Sequence, residues 1–275
     1  MDTPATRSGQ REMLRRRVFT AVIALAVISV VLFVLPPLAA RGFIAVLFLA
    51  AAWEWSGLLN LVSSATRIVY VAFVAVMLGA SATVLADAVA LEPLLQVALA
   101  WWLVALVWSF FFPTPIPAVA GWVCGILILL PAWLAVDHLY LSNTQMLLFA
   151  LLIVWVADIG AYFVGKGFGR VKLAPRISPG KTWEGVLGGL CAVLVLASAG
   201  SYWFRFDIAV LVPFCLAVAL ISIVGDLTVS MFKRNAGVKD SGTLFPGHGG
   251  ILDRIDSVTA ALPLFVLAGT WSGLL

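Results

Sequence analysis

Residues 146–165 read Met-Leu-Leu-Phe-Ala-Leu-Leu-Ile-Val-Trp-Val-Ala-Asp-Ile-Gly-Ala-Tyr-Phe-Val-Gly, with a single charged side chain, Asp158. A helix of about 20 residues rises about 30 Å, the thickness of a bilayer's hydrocarbon core. The stretch therefore reads as a membrane-spanning helix. It carries a charge where hydrocarbon would otherwise surround it. Such a charge is costly unless it faces water or a partner, so Asp158 is expected to face inward and to serve a function.

The same pattern recurs along the chain. Of its 275 residues, 63% are hydrophobic and 11% charged. A soluble domain is roughly half apolar and roughly a quarter charged. This composition excludes a soluble globular enzyme, a disordered protein and a disulfide-stapled secreted domain. Nine spans are expected, at 18–35, 42–60, 68–86, 94–112, 117–136, 146–165, 185–204, 208–225 and 257–274. The fold class is all-α, a polytopic membrane protein forming one integral membrane domain over 1–275. Two polar loops, about 166–184 and 226–256, are long enough to hold a site. Pro36–Pro37 and the run Pro113, Pro115 and Pro117 stop helices, because proline lacks a backbone donor. Cys124, Cys191 and Cys215 all fall in apolar runs and read as buried, inert thiols rather than as a disulfide framework or zinc ligands.

The basic residues orient the chain. With nine spans and the N-terminus inside, Arg7, Arg11, Arg15, Arg16, Arg17, Arg67, Lys166, Arg170, Lys172, Arg176, Lys181, Lys233, Arg234, Lys239 and Arg254 share one side. Only Arg41 and Arg205 fall on the other. That bias follows the positive-inside rule and puts both loops and the N-terminus in the cytoplasm. The first apolar run is too long for a signal peptide and lacks a clear cleavage site, so it reads as an uncleaved span.

Among the acids, Glu92, Asp137 and Asp207 are expected in outer loops as solvated charges. Glu54, in Ala-Ala-Trp-Glu-Trp-Ser, lies within an apolar run and admits two readings, a structural one (snorkelling to the membrane surface or a helix–helix hydrogen bond) or a site role. The first loop runs Gly-Lys-Gly-Phe-Gly-Arg-Val-Lys-Leu-Ala-Pro-Arg-Ile-Ser-Pro-Gly-Lys-Thr-Trp-Glu-Gly over 165–185. Ser178 before Pro179 predicts a helix N-cap with proline at the first helical position. Lys181 and Thr182 would then occupy the first turn, where free N–H groups and the helix dipole attract phosphate. Gly180-Lys181-Thr182 matches the end of a nucleotide-binding P-loop. However, residue 175 is Pro where that motif needs Gly, and no strand is expected before it, so that class is rejected.

The second loop is more specific. Gly247, Gly249 and Gly250 surround His248. A helix starting near Ile251 would put Asp253 and Asp256 at i and i+3, on one face. Asp226 ends the preceding span on the same membrane side. Three carboxylates meeting there would suit Mg²⁺. Lys233, Arg234, Lys239 and Arg254 would supply charge for phosphates.

This loop resembles the signature of the phosphatidate cytidylyltransferases, or CDP-diacylglycerol synthases. The match comprises Ser230, Lys233, Arg234, Lys239, Asp240, Pro246, His248, Gly249, Gly250, Asp253, Arg254 and Asp256, with no departure in the pattern. The resemblance extends to Asp158, Tyr162 and Gly165, to Ser178, Pro179, Lys181, Thr182 and Glu184, and to Gly225–Asp226. It implies transfer of a cytidylyl group from CTP to phosphatidic acid, giving CDP-diacylglycerol and pyrophosphate. It also implies a homodimer in the plasma (inner) membrane, an Mg²⁺ requirement and K⁺ as a second ion. By motif position it makes Asp226, Asp253 and Asp256 the metal ligands. Lys233, Arg234, Lys239, His248 and Arg254 join them in the catalytic set. Asp158, Ser178, Lys181, Thr182 and Glu184 are placed at the substrates.

The chemistry suits these residues. A phosphate monoester has a second pKa near 6, so the nucleophile is largely dianionic at neutral pH without a strong base. Bringing two anions together is the harder task, and cations must supply it. His248 is expected to bind phosphate or shape the loop rather than move a proton. A transporter would need more intramembrane charge than the spans carry. A CDP-alcohol phosphotransferase would need an Asp-Gly-x-x-Ala-Arg spacing that is absent, and nothing suggests a nucleic-acid partner. Reporter fusions should place 166–182 and 233–254 in the cytoplasm and the C-terminus outside; a cytoplasmic C-terminus would refute the odd number of spans.

Overall fold

The computed structural model describes residues 25–59, 63–84, 88–242 and 249–275. Residues 25–33 are helical and are labelled α1. It is followed by α2 (Pro37–Leu58), α3 (Ser64–Val84), α4 (Ala88–Phe110), α5 (Ala118–Ser142) and α6 (Thr144–Phe168). A short hairpin, β1 (Lys172–Ala174) and β2 (Ser178–Thr182), leads to α7 (Trp183–Phe204), α8 (Ile208–Asn235) and α9 (Leu252–Ser272). Among the described residues, eight helices are long and apolar enough to cross a membrane. The start of the expected first span and the basic cluster at Arg7–Arg17 lie outside the described residues.

The chain is an all-α multi-pass membrane protein. Its outward surface is apolar, with Phe110 78% and Trp203 77% exposed. Water would penalise such side chains, whereas lipid does not. The packing divides the chain into two compact units, one reaching to Ile44 and one running from Ala45 to Leu275. The larger unit holds every site residue discussed below.

Proline sets two of the helix starts. Pro37 opens α2, and Pro117 is the N-cap of α5. The hairpin was not expected. β1 and β2 pair antiparallel, with Lys172 opposite Thr182 and Ala174 opposite Ser178. Pro179 is tolerated in β2 because a two-stranded sheet leaves an unpaired edge.

Three expected boundaries are corrected. α8 does not end at 225 but runs to Asn235, so Asp226 lies inside a helix. α5 continues to Ser142, so Asp137 is buried in a helix and is not a solvated loop charge. Glu92 lies within α4 and accepts hydrogen bonds from Gln96 and Trp271. Cys124 and Cys215 are buried, as expected, whereas Cys191 is exposed on α7.

α6 and α7 meet along a seam of small residues. A Cβ on Gly185 would lie 2.9 Å from the carbonyl oxygen of Ala161, and one on Gly189 would lie 2.7 Å from that of Ala157. Gly185 and Gly189 are four residues apart, the spacing that lets membrane helices touch backbone to backbone. α8 and α9 meet in the same manner at Gly225, where a Cβ would approach the carbonyl oxygen of Asp256 at 2.5 Å. Backbone atoms cannot yield as a flexible side chain can. Gly189→Ala should therefore destabilise the fold by about 1–3 kcal/mol, read as a lower thermal midpoint in detergent. Gly42→Ala, with nothing within 4 Å of its Cβ, should leave the midpoint level or raise it.

Candidate active site

The hairpin, the end of α8 and the start of α9 bring the two polar loops together. Asp226, Ser230 and Lys233 are spaced i, i+4 and i+7 on α8 and share one face. Ser230 donates its hydroxyl to Asp226 at 3.0 Å. The Lys233 ammonium lies 2.8 Å from Asp253 Oδ1 and 3.7 Å from Asp256 Oδ2. Only 9% of the Lys233 side chain is exposed. Asp226, two turns earlier on the same helix, also acts on this ammonium electrostatically.

The second lysine arrives from the hairpin. Lys181 Nζ lies 2.6 Å from Asp226 Oδ2, with both side chains 25% exposed. Asp158 on α6 lies within electrostatic reach of Lys181 and Asp226 and beside Ser257. Its surface is exposed, as fits an acid that needs a wet or polar neighbour inside a span.

The structure corrects the expected start of α7. Ser178 is not an N-cap, and Lys181 and Thr182 are not in a first helical turn. Residues 178–182 form β2, and Thr182 is the N-cap, accepting from Gly185 N at 3.1 Å. The chain prefers the hairpin because Trp183 N donates to Val171 O at 2.9 Å, and Val171 N donates to both Glu184 carboxylate oxygens at 3.1 and 3.2 Å. These bonds close the two ends of the hairpin on the helix. Glu184 thus holds the hairpin at its base. Ser178 pairs with Ala174 at its tip.

Arg234 also has a structural engagement. Its Nε donates to the carbonyl of Ile177 at 3.0 Å and its Nη1 to that of Val238 at 3.3 Å. It fastens the hairpin turn to the end of α8. Lys239, Asp240 and Arg254 are exposed. His248 lies outside the described residues, as does Pro246.

The start of α9 is built as expected, with Asp253 and Asp256 in its first turns. Asp253 Oδ2 accepts from Gly250 N and Ser241 N, both at 2.9 Å. The partner that sequence left open is Glu54. Its carboxylate accepts from Ile251 N at 2.9 Å, Leu252 N at 2.8 Å and Ser241 Oγ at 2.8 Å. No local signal could have revealed this, because those partners lie nearly two hundred residues further along the chain.

A model of the cytidylyltransferase family matches residues 15–271. The chain belongs to that family. A Pseudomonas aeruginosa protein named phosphatidate cytidylyltransferase is 44% identical over 265 residues, covering 92% of this chain and 96% of its own length. One of the same name from Haemophilus influenzae is 38% identical over 289 residues, covering 92% and 97%. A Staphylococcus aureus protein of that name is 50% identical over 120 residues, 43% of this chain and 46% of its own length. The family assignment agrees with the resemblance read from the second loop.

The two lysines of this candidate site should behave differently. Removing Lys233 leaves Asp253 and Asp256 without their nearest cation in a nearly dry place, a loss of about 3–5 kcal/mol. Lys233→Ala should therefore yield little folded protein by size-exclusion chromatography. Lys181 is more open and serves Asp226 from outside the helices. Lys181→Ala should elute like wild type but turn over substrate slowly, and Lys181→Arg should restore only part of the rate, because a fork differs from a point charge.

Proposed function

We infer that the chain transfers a cytidylyl group from CTP to phosphatidic acid, giving CDP-diacylglycerol and pyrophosphate for phospholipid synthesis. The observation that carries this reading is the meeting of the two polar loops. Lys181 from the hairpin reaches Asp226, and Lys233 reaches Asp253 and Asp256, among helices whose outward surface is apolar. In this reading a phosphate oxygen of the lipid attacks the α-phosphorus of CTP. The bond from that phosphorus to the bridging oxygen breaks, and pyrophosphate leaves with the electron pair. The nucleophile needs no strong base. The protein's work is to align two anions and offset their repulsion.

Asp158, Asp226, Asp253 and Asp256 outnumber Lys181 and Lys233 by two formal negative charges when all are ionised. An uncompensated excess of that kind is costly where carboxylates are largely buried, as at Asp253 and Asp256. Among the described residues, no three or more His, Cys, Asp or Glu are gathered as a ready metal site, since the lysines hold the carboxylates. The donor chemistry nonetheless fits, because hard oxygens and a two-charge excess suit Mg²⁺. In this reading Asp226, Asp253 and Asp256 hold it, and K⁺ is the second ion. Mg²⁺ supplies charge neutralisation at the phosphates when bound. Lys181 is free to exchange Asp226 for a substrate phosphate, and Lys239 and Arg254 offer exposed cations to the polyphosphate. Glu184, Ser178 and Arg234 keep the hairpin, and so Lys181, in place.

We further place the site on the cytoplasmic face of the plasma (inner) membrane, with the N-terminus inside and the enzyme a homodimer. The positive-inside bias supports the orientation. CTP then enters from water while the acyl chains remain in lipid.

Detergent-solubilised protein given radiolabelled CTP, phosphatidic acid and Mg²⁺ should form a labelled CDP-lipid. Failure to form it would remove the assignment. Asp226→Asn, Asp253→Asn and Asp256→Asn should each lose most turnover, partly regained at higher Mg²⁺, while Asp240→Asn should lose little. Unchanged Mg²⁺ dependence in the three variants would displace the ion site without touching the reaction.

A further inference from the structure

We propose that Glu54 is a positioning residue, a cap supplied by α2 that sets the first turn of α9 so that Asp253 and Asp256 present their carboxylates correctly. The proposal rests on the reading that these two acids hold the catalytic ion. A helix start leaves its first N–H groups without partners in the helix. The usual remedy is a side chain of the N-cap residue itself. Here the N-cap is Ile251, which has no side-chain acceptor. The N–H groups of Ile251 and Leu252 donate instead to the two oxygens of Glu54, at 2.9 and 2.8 Å.

The burial and charge of Glu54 fit that task. It is 8% exposed, on a helix whose other charged residue is Arg41. Among the described residues its carboxylate meets two backbone N–H groups and the hydroxyl of Ser241, at 2.8 to 2.9 Å. A negative group at a helix N-terminus also opposes the positive end of the dipole. The neighbouring chain is shaped around it. A Cβ on Gly242 would come 2.5 Å from Glu54 Oε1, and one on Gly250 would overlap both oxygens.

The link to Asp253 is short. Ser241 donates its hydroxyl to Glu54 and its backbone N–H to Asp253 Oδ2, at 2.8 and 2.9 Å. Gly250 N, one residue before the capped pair, donates to the same Asp253 oxygen at 2.9 Å. Glu54 therefore holds Ser241 and the start of α9, next to the two N–H groups that donate to Asp253. A change at Glu54 tilts the turn that aims Asp253, and Asp256 one turn later, without touching substrate.

The test titrates Mg²⁺ alone against the thermal midpoint of the full chain in detergent, with turnover measured in parallel. Glu54→Gln keeps the shape but sets an amide N–H₂ against a backbone N–H. It should raise the Mg²⁺ concentration for half-maximal stabilisation about ten-fold, the scale seen when a ligand's supporting partner is removed. At saturating Mg²⁺ it should lower kcat while the KM for CTP stays within about two-fold. Glu54→Asp, charged but one methylene shorter, should recover part of the Mg²⁺ shift. Glu92→Gln, whose carboxylate meets Trp271 and Gln96 instead, should titrate like wild type.

If Glu54→Gln does not fold, Ser241→Ala replaces it, removing one donor to Glu54 and shifting the curve the same way by about three-fold. A Glu54→Gln or Ser241→Ala curve that overlies wild type, while Asp256→Asn shifts, overturns the role of Glu54 alone. If Asp256→Asn also overlies wild type, the ion-site reading falls and the role of Glu54 falls with it.

Discussion

Lys233 is the counter-charge around which the rest of the site is arranged. It is almost dry, yet it lies against Asp253 and Asp256 at the start of the next helix. In a medium of low dielectric the pair is strong only while it is complete, since either partner alone would be a buried charge without compensation. That requirement fixes the end of α8 against the start of α9. It also fixes which face of α8 carries Asp226 and Ser230, because those positions precede Lys233 at helical spacing. The hairpin then has one place to deliver Lys181, beside Asp226.

Small residues make such close placement feasible. Gly225 lets α8 approach the backbone of α9 at Asp256, and Gly185 and Gly189 let α7 lie against α6. Lipid offers no hydrophobic drive to press helices together, so contact area between backbones does much of that work. The polar groups are thus held by a scaffold with few adjustable side chains at its seams. Arg234 and Glu184 complete it at the hairpin, one at the turn and one at the base.

Much of this was legible in the sequence. Helices α2 to α9 were found because a hydrocarbon layer demands a run of apolar residues of definite length. The paired acids of α9 were found because a spacing of three puts them on one face. What escaped notice did so for physical reasons. Asp226 interrupts the apolar run, so α8 seemed to stop there; yet a charge ends only the hydropathy signal, and the helix continues with Asp226, Ser230 and Lys233 turned to their partners. Ser178-Pro179 has the chemistry of a helix start, but pairing of β2 with β1 across Lys172 and Thr182 outcompeted it. Asp137 seemed solvated because the apolar run ends beside it, although α5 goes on. Glu54 was undecided because its meaning depends on Ser241, Ile251 and Leu252, which only folding brings near.

The opposite characters of α8 and α9 bear on how the chain enters the bilayer. Among the eight spanning helices α8 is the most apolar and α9 the least, and α9 begins with the two acids that Lys233 faces. Transfer of α9 alone would take those carboxylates toward hydrocarbon without their cation, against the translocon's preference for uncharged segments. Joined to α8 through Lys233, the same segment carries less net charge and buries it between two helices. The unit of favourable insertion is therefore the helical pair, and the ion pairs that later frame the site are also what make α9 acceptable to the membrane.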